Sequence, residues 1–142
     1  MVTHDPLIGK TVGKYTIDRP LGEGAMGKVY SCLNTLTATW VAIKVLDLHG
    51  DDSKATSMRF IREVKAINKI RHPCIIKVFD FGQLSDGRYY YTMEYLEGET
   101  LGETLERSPL NLSQINNILY EMCNALDAIH ELGIVHRDLK PS

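Results

Sequence analysis

Three groups of residues in this sequence could carry out chemistry, and the first is the glycine-rich stretch 21–29, Leu-Gly-Glu-Gly-Ala-Met-Gly-Lys-Val. Gly22, Gly24 and Gly27 follow the pattern G-x-G-x-x-G-x-V. Glycine lets the main chain approach a ligand that a Cβ atom would push away. Oriented backbone N–H groups also form an anion site. The stretch therefore predicts a loop that cradles phosphate groups, and the alternative is an ordinary turn that binds nothing.

The residues that flank this loop distinguish between kinds of phosphate loop. In a dinucleotide-binding turn the third glycine opens a helix, whereas Gly27 precedes residues 28–33, a β-branched and aromatic run typical of a strand. Gly22, Gly27 and Lys28 also match the P-loop pattern G-x-x-x-x-G-K, but that loop requires Ser or Thr next, followed by a helix. The next residue is Val29. We therefore predict a β-hairpin that covers its ligand.

A lysine and a glutamate form the second group. Lys44 interrupts the apolar run 40–46, which predicts a buried strand, and a buried ammonium without a partner is costly. Glu63 borders the apolar face of a helix predicted over residues 57–71. We therefore predict an ion pair between Lys44 and Glu63. The alternatives are a Lys44 amine in solvent at a sheet edge and a Glu63 that pairs with Arg59.

The third group is the stretch 136–142, which reads His-Arg-Asp-Leu-Lys-Pro-Ser. Asp138 and Lys140 place a proton acceptor beside a cation. Phosphoryl transfer to a hydroxyl uses such a pair, one group to orient and deprotonate the nucleophile and the other to neutralise the transferred group. A surface loop of mixed charge is the alternative for the two residues alone, but the whole heptapeptide is too specific for that interpretation.

Strands and a helix must position the first two groups. Strands are predicted over residues 15–21, 28–33, 40–46, 75–81 and 88–95. Together with the helix over 57–71 they make a small antiparallel sheet with one helix against it, an α+β lobe. From residue 97 the pattern is helical, with helices at 100–107 and 113–132. Ser113 is the predicted N-cap of the second helix and Gly133 its stop.

Composition limits the other classes of function. The chain has 142 residues, a net charge of −2, 44% hydrophobic and 24% charged residues, which is ordinary for a globular protein and does not favour a nucleic-acid surface. The three cysteines have no C-x-x-C spacing and are predicted to be buried small residues in a reducing compartment. Neither a signal peptide nor a membrane span is predicted in this stretch, nor a metal site among the histidines. We expect this segment to be soluble and cytoplasmic.

In their order and spacing, these motifs resemble the N-terminal part of a eukaryotic-type protein kinase domain. The resemblance runs from Tyr15 to the end and rests on the glycine loop, Val41-Ala42-Ile43-Lys44, Glu63 and His136-Arg137-Asp138-Leu139-Lys140. Lys140 is typical of Ser/Thr kinases, and the residues of the glycine loop are similar to those of bacterial members of the family. The polar residues 1–14 are predicted to form a flexible leader. The resemblance implies an ATP-binding small lobe at 15–96 and the start of the larger helical lobe at 97–142.

The resemblance also implies a role for each matching position. The adenine would be packed by Leu21, Val29 and Ala42 and bonded by the Glu94 carbonyl and the Leu96 N–H. Met93 would be the gatekeeper, Lys44 would hold the α- and β-phosphates, Asp138 would be the catalytic base, and Lys140 would contact the γ-phosphate. The residues expected to bind ATP are Leu21, Gly22, Glu23, Gly24, Ala25, Met26, Gly27, Lys28, Val29, Ala42, Lys44, Glu63, Met93, Glu94 and Leu96.

The Mg²⁺ ligands that the resemblance implies, an Asn at position 143 and the Asp of Asp-Phe-Gly, lie beyond Ser142. We therefore expect ATP, Mg²⁺ and a protein substrate to act with a longer protein, and residues 1–142 alone to lack kinase activity. Bacterial relatives often carry a membrane span beyond the kinase domain, so an anchor further along is compatible with this stretch. The alternative is a pseudokinase or a truncated nucleotide-binding module, although retention of Lys44, Glu63 and Asp138 favours an active kinase.

Overall fold

The computed structural model describes residues 5–24, 27–46, 58, 61–62, 64–66, 68–136 and 139–141. The chain divides into two compact units. The first comprises Met1–Asn68 and Lys77–Leu96, and the second comprises Lys69–Ile76 and Glu97–Ser142. Among the helices that the structure describes, none is both long enough and apolar enough to cross a membrane.

In the described part of the first unit, six strands form one antiparallel sheet of order β1-β2-β3-β4-β6-β5. The strands are β1 (Thr11–Val12), β2 (Tyr15–Gly24), β3 (Gly27–Asn34), β4 (Thr39–Val45), β5 (Val78–Gln83) and β6 (Tyr89–Glu94). The described residues at 58, 61–62 and 64–66 are helical. The predicted α+β small lobe is therefore confirmed, with one strand more than the five that were predicted.

The additional strand belongs to residues 5–12, which were expected to form a flexible leader but are attached to the sheet. Val12 pairs with Tyr15 across a two-residue turn in which Gly13 has φ +58°. The Gly9 N–H donates to the Ile17 carbonyl at 2.8 Å, and the Leu7 side chain is only 4% exposed. The prediction missed this attachment because a two-residue strand and one apolar anchor are too short to show a periodic pattern.

Among the predicted element boundaries that differ from the structure are the two on either side of Pro73. The strand predicted to begin at residue 75 begins at Val78, because the Ile75 N–H donates to the His72 carbonyl in a turn. The described helical residues end at 66, before the predicted limit of 71, and residues 68–69 form a turn. In that turn the Asn68 N–H still donates to the Val64 carbonyl at 3.0 Å.

The two faces of the sheet bury different clusters because alternate residues of a strand point to opposite faces. The larger cluster consists of Leu7, Tyr15, Ile17, Tyr30, Cys32, Val41, Ile43, Val45 and Leu84. The smaller cluster consists of Leu46, Val64 and Val78, with Tyr89 and Tyr91 packed against it. Val64 is one of the described helical residues, so the smaller cluster is where the helical segment contacts the sheet.

A polar contact joins two strands that are far apart in the strand order. The Tyr15 hydroxyl, at the start of β2, donates to the Asp80 carboxylate in β5. Lys14 Nζ lies 3.0 Å from Asp80 Oδ2. Since β2 and β5 are second and sixth in the sheet, this contact requires the sheet to curl around the larger cluster.

The cysteines do not share one environment, contrary to the prediction. Cys32 is fully buried in the larger cluster, and burial raises the pKa of its thiol to about 12. Cys74 and Cys123 are exposed in the second unit. The prediction was wrong for these two because cysteine frequency in protein cores is only an average tendency, and Cys123 lies on an exposed part of a helix surface.

The described part of the second unit contains helix α1 (Leu101–Arg107) and helix α2 (Leu112–His130). The N-cap of α2 is Asn111, not the predicted Ser113. The Asn111 side chain accepts a hydrogen bond from the Gln114 N–H at 2.9 Å. The Gln114 side chain in turn accepts one from the Asn111 N–H, also at 2.9 Å. This reciprocal capping box satisfies two helix-end donors, which a Ser113 cap would leave open.

Gly27 is the one glycine of the phosphate-loop motif that the fold itself requires. It has φ +131°, and a Cβ added there would lie 2.0 Å from the Val45 carbonyl oxygen. We expect Gly27→Ala to lower the free energy of unfolding by about 2–4 kcal/mol, from backbone strain and overpacking together. Urea unfolding followed by the fluorescence of Trp40, the single tryptophan, measures this in the first unit.

Gly24→Ala is the matched control for Gly27→Ala. A Cβ at Gly24 would meet no described atom within 4 Å, so the free energy of unfolding should change by less than about 0.5 kcal/mol. Equal unfolding midpoints for the two variants would contradict the assigned role of Gly27.

The Tyr15–Asp80 contact predicts a dependence of stability on pH. The hydrogen bonds from Tyr15 and Lys14 lower the pKa of the Asp80 carboxyl below its ordinary value of 3.8. A carboxyl whose pKa is lower in the folded state stabilises the fold above its unfolded pKa and loses this effect as pH falls through the folded pKa. Asp80→Asn should therefore destabilise the chain at pH 7 by about 0.5–1 kcal/mol, since the carboxylate is partly exposed.

The comparison that isolates Asp80 is the difference between wild-type and Asp80→Asn stability from pH 7 down to pH 2.5. Other carboxyls with lowered pKa values, at Asp5, Asp86 and Glu103, titrate in both proteins and cancel in this difference. The difference should shrink below about pH 4. Parallel curves throughout would show that Asp80 does not contribute in this way.

Candidate nucleotide site

The glycine-rich stretch forms the distal end of the β2–β3 hairpin. Gly24 pairs with Gly27, Glu23 with Lys28 and Gly22 with Val29, so the strands continue up to the two-residue tip. The tip residues, Ala25 and Met26, lie outside the described residues. Strand β3 begins at Gly27, where a dinucleotide-binding turn or a P-loop would begin a helix. The local structure is therefore the β-hairpin that the flanking residues predicted.

The three glycines of the motif differ in their physical reason for being glycine. Gly27 is required by its positive φ and its approach to Val45. Gly22 and Gly24 have no positive φ, and a Cβ at either would meet no described atom within 4 Å. The fold therefore does not exclude a side chain at these two positions. Their open surroundings fit a ligand that approaches the backbone closely.

Strand pairing brings several predicted site residues onto one face of the sheet. Gly22 lies opposite Val29, and Val29 lies opposite Lys44. On the same face, Ala42 lies opposite Met93. Directly opposed residues share a face of the sheet, as do residues two apart along a strand. This face, defined by Gly22, Val29, Ala42, Lys44 and Met93, is called the site face below.

The site face contains a small apolar floor beside one cation. Ala42 is buried, and Val29 and Met93 are half-buried. Lys44 is also half-buried, and its cross-strand neighbour in β6 is Tyr91. Tyr91 was not predicted from the sequence, because its place opposite Lys44 depends on the register between β4 and β6. The only signal for it was the aromatic run at the start of β6.

Leu21 and Leu96 lie at the borders of this face, whereas Glu94 lies opposite Val41, with its side chain on the other face. Leu21 lies where the register of β2 shifts between Pro20 and Gly22, and its side chain is partly exposed. The Glu94 carboxylate accepts from the Lys77 N–H at 3.5 Å, just before the start of β5. Leu96 follows the end of β6 and is 67% exposed.

Glu23 and Lys28 belong to the other side of the hairpin. Lys28 alternates with Val29 along β3 and so shares the face of Tyr30, away from Lys44. Its Nζ lies 3.3 Å from the Glu23 carboxylate. For these two residues only the backbone can face a ligand on the site face.

Besides the hairpin tip, two residues with predicted chemical roles lie outside the described parts of the chain. They are Glu63, the predicted partner of Lys44, and Asp138, the predicted base. In the second unit, Lys140 is exposed, and the next residue, Pro141, accepts a hydrogen bond from the Gly102 N–H at 2.8 Å. This bond attaches the end of the catalytic stretch to the first turn of α1.

Comparison with known proteins identifies the family. A family model described as the protein kinase domain matches residues 15–142. The chain belongs to the protein kinase family. The resemblance predicted from the glycine loop, the strand lysine and the catalytic stretch is thereby confirmed.

Bacterial Ser/Thr kinases are among its relatives. The chain is 40% identical over 139 residues to serine/threonine-protein kinase pkn3 of Myxococcus xanthus, covering 96% of this chain and 25% of that protein. It is 37% identical over 137 residues to PrkC of Bacillus subtilis, covering 95% of this chain and 21% of that kinase. The chain thus spans a quarter or less of the length of these curated relatives.

Solved kinase structures share the fold. The kinase domain of Mycobacterium tuberculosis PknI is 34% identical, with a TM-score of 0.76 over 94% of this chain and 54% of the solved one. The apo form of PpkA reaches a TM-score of 0.84 at 23% identity, over 95% of this chain and 55% of that one. The second comparison bears on the fold alone.

Proposed function

We propose that the protein to which this chain belongs is an ATP-dependent Ser/Thr protein kinase. In the reaction a Ser or Thr hydroxyl oxygen of a protein attacks the γ-phosphorus of ATP. A phosphoester bond forms, the bond to the β-phosphate oxygen breaks, and ADP leaves. The observation that carries the proposal is the site face, which combines an open glycine backbone, an apolar floor and one strand lysine within a kinase-family chain.

The site face supports the binding half of this function. Ala42 and Met93 are opposed apolar residues that would pack against an adenine ring, with Val29 on the same face. Lys44 supplies a positive charge one row closer to the glycine backbone, where the phosphates would lie. The open space at Gly22 and Gly24 would let their backbone approach the phosphates closely. ATP fits this arrangement.

The catalytic half of the proposed function rests on the positions of Asp138 and Lys140 in the stretch 136–142. Asp138 would accept the proton of the attacking hydroxyl, and Lys140 would neutralise charge on the transferred phosphoryl group. Glu63 would hold Lys44 in place by an ion pair. Kinases of this family use a divalent metal, and we propose Mg²⁺, with protein ligands at positions after residue 142. When bound, the metal would neutralise charge on the β- and γ-phosphates.

Substitution of Lys44 and Asp138 tests phosphoryl transfer in the longest natural gene product that contains this chain. Lys44→Met and Asp138→Asn should each lower phosphate incorporation into a Ser/Thr peptide library by about 100-fold or more. Lys10→Met removes an exposed lysine elsewhere in the same unit and should leave activity unchanged. Transfer from radiolabelled ATP is the measurement.

The outcomes of this experiment separate the proposed kinase from a pseudokinase. Asp138→Asn should still bind ATP, because the aspartate acts on the hydroxyl proton. Wild-type protein that binds ATP but transfers no phosphate would favour the pseudokinase, and full activity in Asp138→Asn would overturn the assigned base.

Alanine substitution of Gly24 tests whether the hairpin backbone contacts phosphates. Because the fold tolerates a Cβ at this position, the loss should appear in ligand binding and not in stability. We expect the dissociation constant for ATP to rise by about three- to tenfold, because a methyl group would hold the phosphates away from the N–H groups. Calorimetric titration of the wild type and the variant measures the change.

Adenosine provides the internal control for Gly24→Ala. It lacks phosphates but uses the same apolar floor, so its affinity should be the same for both proteins. Equal losses for ATP and adenosine would indicate a general distortion of the site, and no loss for ATP would remove the hairpin from the binding site.

A further inference from the structure

Asp5 is bound to the first unit by three polar contacts. Its carboxylate accepts hydrogen bonds from the Leu7 N–H at 3.1 Å and from the Tyr30 hydroxyl at 2.9 Å, and it lies 3.7 Å from Lys28 Nζ. Its side chain is only 18% exposed. Burial alone would raise the pKa of the Asp5 carboxyl, but these hydrogen bonds and the charges of Lys28 and Arg88 outweigh it and lower the pKa.

The contact with Lys28 leads directly to the glycine-rich hairpin. Lys28 follows Gly27 in β3 and lies opposite Glu23 in β2, one pair below the end of the hairpin. Its ammonium lies 3.3 Å from Glu23 and 3.7 Å from Asp5. One lysine thus links residues 5–12 to both strands of the hairpin.

Residues 5–12 are themselves firmly attached, so they can act as an anchor. Leu7 is buried in the larger cluster, Gly9 and Lys10 exchange backbone hydrogen bonds with Ile17, and β1 pairs with β2. These contacts lie near the start of β2, at the opposite end of the hairpin from Gly24. Residues 5–12 precede residue 15, where the match to the kinase family model begins.

We propose that Asp5 is a positioning residue for ATP binding, which acts through Lys28 to hold the glycine-rich hairpin over the phosphates. The link lies on the face of the sheet opposite the site face, so Asp5 would act without touching the nucleotide. This inference rests on the proposed function, because it assumes that the hairpin covers ATP phosphates.

Loss of the Asp5 charge and release of the hairpin should change the affinity for ATP in opposite directions. The direction of the measured change therefore identifies its cause. Removing the negative charge of Asp5 would by itself strengthen the attraction of the region for the anionic phosphates. Releasing the hairpin would weaken binding, because ordering it on the ligand then costs conformational entropy. A weaker affinity after removal of Asp5 therefore cannot come from the charge.

Asp80 provides the matched control. Like Asp5, it accepts a hydrogen bond from a tyrosine hydroxyl, that of Tyr15, and pairs with the lysine Lys14. Tyr15 lies at the end of β2 away from the glycines. Asp80→Ala thus removes a tyrosine hydrogen bond and a lysine pair from the same unit without releasing the hairpin, whereas Asp5 also accepts from the Leu7 N–H.

The experiment compares wild type, Asp5→Ala and Asp80→Ala in the longest natural gene product that contains the chain, with ATP and Mg²⁺. Calorimetry gives the dissociation constant, and hydrogen exchange gives the protection of the amides at residues 22–24 and 27–28. In Asp5→Ala we expect a dissociation constant about two- to fivefold higher and faster exchange at these amides. In Asp80→Ala neither quantity should change.

Each outcome decides the proposal. Unchanged or tighter ATP binding by Asp5→Ala, unchanged exchange at the hairpin, or an equal loss in Asp80→Ala would overturn it. Wild-type protein that does not bind ATP would instead refute the proposed function, and faster hairpin exchange in Asp5→Ala would then show only a structural link. Adenosine affinity should be the same in all three proteins, because the apolar floor does not depend on Asp5.

Discussion

The pairing register between β3 and β4 is the constraint on which the candidate site depends. It places Val29 opposite Lys44 and Ser31 opposite Ala42. Because side chains alternate with a period of two, a slip of one residue would turn Lys44 toward the larger hydrophobic cluster and Ile43 toward the ligand. Burial of Tyr30, Cys32 and Ile43 on the other face opposes this slip. The hydrophobic core thereby determines which side of the sheet carries the cation.

Part of this arrangement could be predicted from the sequence, because some structural preferences depend only on a residue and its neighbours along the chain. Three glycines before a β-branched and aromatic run favour a strand over a helix, and a lysine within an apolar strand indicates either a polar partner or an edge position in solvent. Register, in contrast, follows from contacts between distant segments, which is why Tyr91 was missed beside Lys44. The cap at Asn111 was missed for a different reason. Asn111 and Ser113 are both good caps, and the side chain of Gln114 decides between them.

The glycine motif shows how a functional pattern and a structural requirement can share one stretch. Gly27 is fixed by its approach to the Val45 carbonyl, so its identity would be required even without a ligand. Gly22 and Gly24 meet no such restriction among the described residues. The sequence motif alone does not distinguish these cases, because glycine occupies all three positions. Only the distance from each missing Cβ to the surrounding atoms distinguishes Gly27, which the fold requires, from Gly22 and Gly24, which it does not require.

The same chemical arrangement occurs twice in the first unit, and its position determines what it does. In both cases an aspartate accepts a hydrogen bond from a tyrosine hydroxyl and lies beside a lysine. Around Asp80 the arrangement joins β2 to β5, two strands already fixed by the sheet, so its effect is on stability. Around Asp5 it joins an anchored segment to the hairpin, in which Gly22–Gly24 of β2 pair only with β3 among the described strands. A contact of similar strength changes the conformational freedom of a lid more than that of a packed strand, since the lid has fewer other contacts to hold it. For this reason the link through Lys28 acts on ligand affinity, whereas its counterpart at Asp80 acts on the fold.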